Sequence, residues 1–591
     1  MEQRNLLLAI VLSVGILIAF QFLIAKFRPI TPPPPASTAT TSELAKPNAA
    51  PPPAAASQAA GLPRAAVAAK AAAAASPAAA LSGEPIIKIE TPDLSGSLSL
   101  TGGRIDNLVL RKYHETISRG SPHVQLLWPD GTARPYFAQF GWVPADGGSV
   151  KVPGPDTVWQ TADKVLTPAH PVTMTWDNGA GLVFTRTISV DKDYMFRIED
   201  RVRNAAGAPV ALVPYGLISR TGAPPNAGYS YRNAYQGMIG EFGGSLKEVT
   251  YTSVKPGEPV AYSSKQAWLG FSEDYWLTAL IPPQDQTIKA QFRAADAHGT
   301  DRYQSDFLAP PISVSPHGTA TYTIRFYAGA KELSILDAYA NSGIRNFDRA
   351  VDFGVLYFLS KPIFQALELL NGLLGNFGLA IVVFTLLIKL AFFPLANKSY
   401  AAMAKMRLLQ PEMQKLRERF PDDKAKQQQE IMALYKKAGA NPLAGCLPIV
   451  IQIPVFWALY EVLYVSIEMR HAPFYGWIHD LSAPDPTHWV NLFGLLPLPH
   501  AALSAVAAMP LLGTVTMIGA WPIIMGVTMF LQQKLNPQPV DPMQAKMFLI
   551  LPVVFTYMLA AFPAGLVIYW AWNNLLSVAQ QWAIMHRAGA A

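Results

Sequence analysis

The sequence predicts a polytopic α-helical membrane protein, with six transmembrane helices and one large all-β domain on its outer side. Three observations lead there. The 591 residues are 51% hydrophobic but only 15% charged, against about 25% charged in an ordinary soluble domain. Apolar runs of spanning or near-spanning length cluster at the N-terminus and in the C-terminal third. Between them lie about 250 residues with strand-like alternation broken by Gly, Pro and Asn turns, a size still compatible with one domain.

The first element is Leu6 to Ile24, apolar except for Ser13, Gly15 and Gln21. Its ~19 residues suit a spanning helix. Phe22, Leu23, Ile24 and Phe27 give no small-x-small cleavage pattern, so residues 1–28 read as an uncleaved anchor. Residues 29–83 form a linker dominated by Ala and Pro, too poor in aromatic residues to bury a core. Residues 84–335 read as a β-sandwich. Alternation is plain at Ser97-Leu98-Ser99-Leu100 and from Tyr194 to Glu199, and a hairpin is signalled by Val172 to Trp176, Asp177-Asn178-Gly179 and Leu182 to Val190. Residues 352–374 are apolar on one side and read as an interfacial amphipathic helix.

Five spans are expected next, at Phe377 to Leu395, Leu447 to Val465, Trp521 to Gln533, Met547 to Phe562 and Leu566 to Ile584. The stretch from Val490 to Gly519 is apolar but holds Pro497, Pro499 and Pro510, and reads as a loop, either at the outer face or interfacial, rather than a span. Between Lys398 and Lys437 there are ten Lys/Arg against five Asp/Glu. The positive-inside rule puts that loop in the cytoplasm. Counting outward, the β domain lies on the opposite side and both termini lie inside. The net charge of +7 and pI near 9.1 therefore belong to a loop beside a membrane, which speaks against a DNA-binding role. The single cysteine, Cys446, excludes an internal disulfide and a Cys-based metal site.

Lys389 is the most informative residue. It lies ~15 Å along its helix from Leu379, at 1.5 Å per residue. A lysine near the bilayer centre costs ~2.5–3.5 kcal/mol on insertion scales, so it needs water or a partner. No Asp or Glu sits in the core of another span. The polar candidates are Thr385, Gln452, Gln532 and Gln533, Asn573 and Asn574, which together suggest a wet, positively charged cavity. The competing reading is snorkelling, because the cytoplasmic end is two turns away. In the loop 397–440, Met403, Met406, Leu409, Met413 and Leu416 recur at helical spacing, and Phe420-Pro421-Asp422-Asp423 breaks the run before a second helix carrying Ile431, Leu434 and Tyr435. This hairpin rests on its own membrane domain in one reading. In the other it is a docking surface for a nascent chain or a ribosome, with adaptable methionines at Met403, Met406 and Met413 beside Tyr435. Enzyme motifs fail: His114-Glu115 lacks a second His, and there is no GxxxxGK[ST] loop. Leu443-Ala444-Gly445-Cys446 has the form of a lipobox but lies mid-chain, so Cys446 reads as a small residue at the start of a span.

Several stretches resemble the YidC-type membrane protein insertases. They are Gly375-Asn376-Phe377-Gly378, Met403-Ala404-Lys405-Met406 with Gln410-Pro411, Tyr435, and Asn441 to Pro448. Others are Gln452-Ile453-Pro454, Ala472-Pro473-Phe474, Asp480-Leu481-Ser482 and Phe562-Pro563-Ala564-Gly565-Leu566. In the β domain, Gly103-Arg104-Ile105 and Tyr327-Ala328-Gly329 match as well. The resemblance implies a bacterial inner-membrane protein with a periplasmic β-supersandwich and a five-helix insertase core over 375–591. It implies insertion and folding of nascent inner-membrane proteins, alone or with the Sec translocon, without enzymatic chemistry, cofactor or metal. The expected groove is hydrophilic and open to cytoplasm and membrane lipid, with Lys389 where the family usually has Arg and with Tyr569 and Trp570 as its aromatic pair. Thr385, Gln452, Gln532 and Asn573 complete the expected groove. Lys keeps the charge of Arg but loses its bidentate fork. Read from the residues alone, a transporter or channel for an anionic solute remains an alternative, as does a binding module anchored by its helices. Deleting the β domain separates these: loss of activity favours the module, retention the membrane core.

Overall fold

The computed structural model describes residues 76–587 apart from 146–149, 225–227, 230–234, 298–299, 422, 440–446, 537–541 and, within 497–514, all but 498, 503, 506 and 509. The expected anchor at 1–28, most of the linker, the Asn441 to Cys446 motif and the middle of the Val490 to Gly519 stretch lie outside the described residues.

Two sheets, of eleven and nine strands, make the β domain. The larger places Tyr136–Pro144 between Arg104–His114 and Val210–Thr221; the smaller places Thr319–Ala330 between Trp276–Ile281 and Met195–Asn204. Pairing is antiparallel apart from the short contact of Ile86–Glu90 with Val165–Leu166. The alternation that predicted strands is a burial pattern. Along Leu182–Val190 every second side chain, starting at Leu182, is buried. The expected hairpin is present, with Val172 opposite Ile188, and the Asn178 side chain accepts the amides of Ala180 and Leu182 at 2.7 and 3.0 Å. One of the inward residues is Arg186. Its guanidinium takes both carboxylate oxygens of Asp200 at 2.6 and 2.7 Å and reaches the carbonyls of Phe140 and Gly103 on the other sheet. A buried charge is tolerable when it is paired and hydrogen-bonded in this way.

The helices follow. α1 (Leu333–Asn341) closes the β domain and α2 (Tyr357–Leu374) runs next. α2 buries Ser360, Ile363, Phe364 and Leu367, at helical spacing, and leaves Phe358, Leu369 and Leu373 exposed. It ends at Gly375, whose φ of +69° is the left-handed cap that a side chain resists. Asn376 then caps the next helix through the Leu379 amide at 2.9 Å. The result is a 120° turn into α3 (Phe377–Ala391). α4 (Phe393–Leu408), α5 (Gln410–Arg419) and α6 (Lys424–Lys437) make up the expected helical hairpin, with Asp423 accepting the Lys426 amide at 3.0 Å as the cap of α6. α7 (Leu447–Val465), α8 (Ala520–Leu535), α9 (Pro542–Leu559) and α10 (Ala564–Arg587) complete the chain.

Among the described residues no single helix is long and apolar enough to cross a membrane, but α2 and α3 pass together as a bent pair. The expected span Phe377 to Leu395 stops at Ala391 because the chain restarts at Phe393-Pro394, where proline is at home in a first turn. At 1.5 Å per residue, the 15 residues of α3 and 16 of α8 give ~22 and ~24 Å, short of the ~30 Å hydrocarbon core. α10, with 24 residues, is the long helix. It packs on α8, α3 and α4, while α2 packs on α3 and α7, and α9 lies along α8.

Candidate functional site

α10 supplies the polar spine of the helical region. Tyr569, Asn573, Ser577 and Gln581 recur every four residues and are all buried. Each has a partner. The Tyr569 hydroxyl is hydrogen-bonded by Gln452 of α7. Ser577 Oγ donates to the Asn573 carbonyl at 2.8 Å and accepts from Lys389 Nζ of α3 at 2.7 Å. Gln581 Nε2 donates to Asn536 Oδ1 just past α8 at 3.0 Å. On the neighbouring face Asn574 Nδ2 reaches Thr528 Oγ1 at 3.4 Å.

These residues border a cavity of about 410 Å³, lined by Lys389, Gln452, Gln532, Tyr569, Trp570, Asn573, Asn574 and Ser577 on its polar side. Its other walls are apolar: Ile388 and Phe392, Ile453 and Phe456, Phe548, Leu551 and Phe555. Trp570 stands edge-on to Phe456 at 4.6 Å and tilted to Phe555 at 5.7 Å, so one ring bridges α7 and α9. Ile453, Phe548 and Leu551 are also exposed on the outside. Exposed residues of α7 and α9 thus stand at the edge of the cavity. Among the described residues Lys389 makes no ion pair. Its ammonium points at Ser577 of the neighbouring helix.

The structure brings together Lys389, Gln452, Gln532, Tyr569, Trp570 and Asn573 of the expected groove. It leaves Thr385 out. That hydroxyl is buried and donates to the Ile381 carbonyl one turn back at 2.6 Å, the usual fate of a helical threonine with no outside partner. The expected docking surface of the hairpin also differs. Met403, Met406 and Met413 are buried and Tyr435 packs with the first two, beside Tyr400 and Ile584. Among the described residues, the exposed large apolar side chains of the hairpin are instead Phe393, Leu395, Leu408 and Met432.

Sequence reasoning missed Ser577, the residue that actually holds Lys389; the four-residue spacing from Tyr569 was the available signal. It also missed Glu461, which lies in α7 toward the end away from Gln452. Only 4% exposed, it accepts from Ser360 Oγ of α2 and from Trp457 Nε1, both at 3.0 Å. A carboxylate in an apolar run is an outlier worth asking about. Glu461 thus ties α7 to α2, and other contacts join the helices to the β domain. Glu468, just past α7, accepts the Leu333 amide that opens α1 at 3.0 Å. Arg470 donates to the carbonyls of His114 and Glu115 at 2.8 and 3.1 Å and lies over the rings of Tyr275 and Trp276. Lys361 of α2 reaches Asp337 and Asp348 at 2.7 and 2.8 Å.

The family model described as the YidC periplasmic domain matches residues 86–366, and that described as the 60Kd inner membrane protein matches 369–590. A membrane protein insertase YidC of Nitrobacter hamburgensis is 50% identical over 522 residues, covering 86% of this chain and 84% of that one. The chain belongs to the YidC membrane protein insertase family. A further YidC relative, from Granulibacter bethesdensis, is 47% identical over 599 residues and covers 99% of this chain and 98% of its own. A crystal structure described as an active YidC insertase with its first transmembrane domain resolved covers 84% of this chain at 18% identity, with a TM-score of 0.35. As a YidC protein, the chain is an inner-membrane insertase with a periplasmic β domain, and its family is not one of enzymes.

Proposed function

We propose that insertion runs through the cavity around Lys389. The carrying observation is an ammonium in the last turn of α3 held by a neutral hydroxyl of α10, beside a polar spine on one side and an apolar wall with exposed residues on the other. The hydrophilic tail of a client enters the polar side, where acidic residues meet Lys389. Its hydrophobic segment slides past Trp570, Phe456 and Phe555 between α7 and α9 into lipid, driven by its own apolar burial. The polar side shortens the path over which backbone groups must leave water. In this reading the chain has six spans, namely the anchor, α3, α7, α8, α9 and α10, with the hairpin and both termini cytoplasmic. Nascent inner-membrane proteins are its clients, and the Sec translocon and the ribosome are its partners, the latter through the cytoplasmic loops.

The test is Lys389→Glu, assayed by protease protection of clients differing only in tail charge. Insertion of acidic-tailed clients is expected to fall while neutral-tailed clients continue. Equal insertion of both by the variant would remove the charge from the mechanism. Crosslinking from positions 452 and 570 to a stalled client maps the same route independently.

A further inference from the structure

Resting on that reading, the geometry points to Ser577 as a specificity-determining positioning residue: its neutral hydroxyl holds the Lys389 ammonium in the groove while leaving its charge for the client.

Ser577 is 2% exposed. Its hydrogen is committed to its own helix, at the Asn573 carbonyl 2.8 Å away. The oxygen is thus left to accept, and Lys389 Nζ supplies a donor at 2.7 Å. Tyr400 of α4 is hydrogen-bonded to the same serine from the cytoplasmic side. An ammonium has three donors. One is spent on Ser577, and Lys389 borders the cavity, so two remain for water or a carboxylate. A carboxylate in place of Ser577 would hold the lysine equally well but cancel its charge. Apolar residues there would release it toward the cytoplasmic surface, since its stem can reach the headgroups. A hydroxyl does neither. Thr385 cannot substitute, because it lies outside the cavity.

The experiment compares insertion by the full-length chain of two clients that differ only in an acidic or neutral tail, and reads the acidic-to-neutral ratio. Ser577→Ala should lower that ratio by roughly tenfold or more, the scale of one lost hydrogen bond to a charge, and Ser577→Asp, which cancels the charge, should lower it as well. Ser577→Thr, which keeps the hydroxyl, should retain the wild-type ratio. Lys389→Gln is the reference. If it leaves the ratio unchanged, both the groove-charge reading and this inference fall. If Lys389→Gln lowers the ratio but Ser577→Ala and Ser577→Asp do not, the reading stands and Ser577 is merely packing. Equal loss of both clients in Ser577→Ala would likewise overturn the inference, since a structural defect does not discriminate by tail charge. Should the aspartate variant fail to accumulate, the alanine and threonine variants decide.

Discussion

Glu468 offers a pH-dependent test of how the β domain is fastened to the helices. It sits in the turn Ile467–Met469 past the end of α7, outside the spanning helices. One carboxyl oxygen takes the Leu333 amide at 3.0 Å; the other is buried with no hydrogen-bond partner. Burial pushes its carboxyl up to about 8 from an ordinary 4.5, and the nearby carboxylates of Glu332 and Glu368 add to the rise. In the folded chain the proton is retained where an unfolded chain would have released it. The contribution of this site is thus fully present below about pH 4.5, and is lost as pH rises through about 8. Each pKa unit is worth ~1.4 kcal/mol, so the loss has a ceiling of a few kcal/mol. Glu468→Gln keeps a carbonyl for the Leu333 amide and cannot ionise. Thermal unfolding of the full-length chain in nanodiscs, followed from pH 5.5 to 8.5, should show the Gln variant gaining on the wild type as pH rises. Taking the difference between the two proteins removes other titrating groups, such as Asp106, which burial pushes up to about 7. A difference that is flat with pH, or that shrinks as pH rises, would refute the reasoning.

Two further outcomes are expected. Glu461→Leu strands the Ser360 hydroxyl in an apolar setting, at a cost of ~1–3 kcal/mol. Amide exchange in α2 should accelerate, and less so in Glu461→Gln, which retains one acceptor. A Cβ at Gly526 of α8 would lie 2.0 Å from Thr556 Oγ1 of α9. Gly526→Ala should therefore cost ~1–3 kcal/mol by forcing the two helices apart. Adding Thr556→Ala should recover part of that in a double-mutant cycle, and strict additivity would argue against the contact.

Where one side chain alone signals its environment, the sequence was informative. The inward alternation of Leu182–Val190 and the Asp177-Asn178-Gly179 turn specify a hairpin locally, and the structure contains it. Lys389 stands out because any charge inside an apolar run must be explained. Ser577 does not, because a serine on a mixed-polarity helix means nothing until α3 is laid beside it. Thr385 misleads for the converse reason. It is polar and one turn from Lys389, yet its hydroxyl is satisfied within its own helix. The methionine stripe showed correctly that one face of α4 and α5 is apolar, but periodicity cannot say whether a face meets a guest or the protein itself. Here Met403 and Met406 meet the protein, beside Tyr400, Tyr435 and Ile584. The fold of the β domain is local in origin, whereas the groove arises from long-range juxtaposition, and a linear reading recovers the two unequally.

The turn at Gly375 leaves the molecule very little slack. Two residues, Gly375 and Asn376, separate α2 from α3, a tether of at most ~7 Å when fully drawn out. Upstream of it, Lys361 fastens α2 to Asp337 and Asp348, and Ser360 fastens it to Glu461. The periplasmic body thus cannot swing far about its mooring without dragging on the root of the helix that bears Lys389, so a pull applied outside the membrane is felt within it.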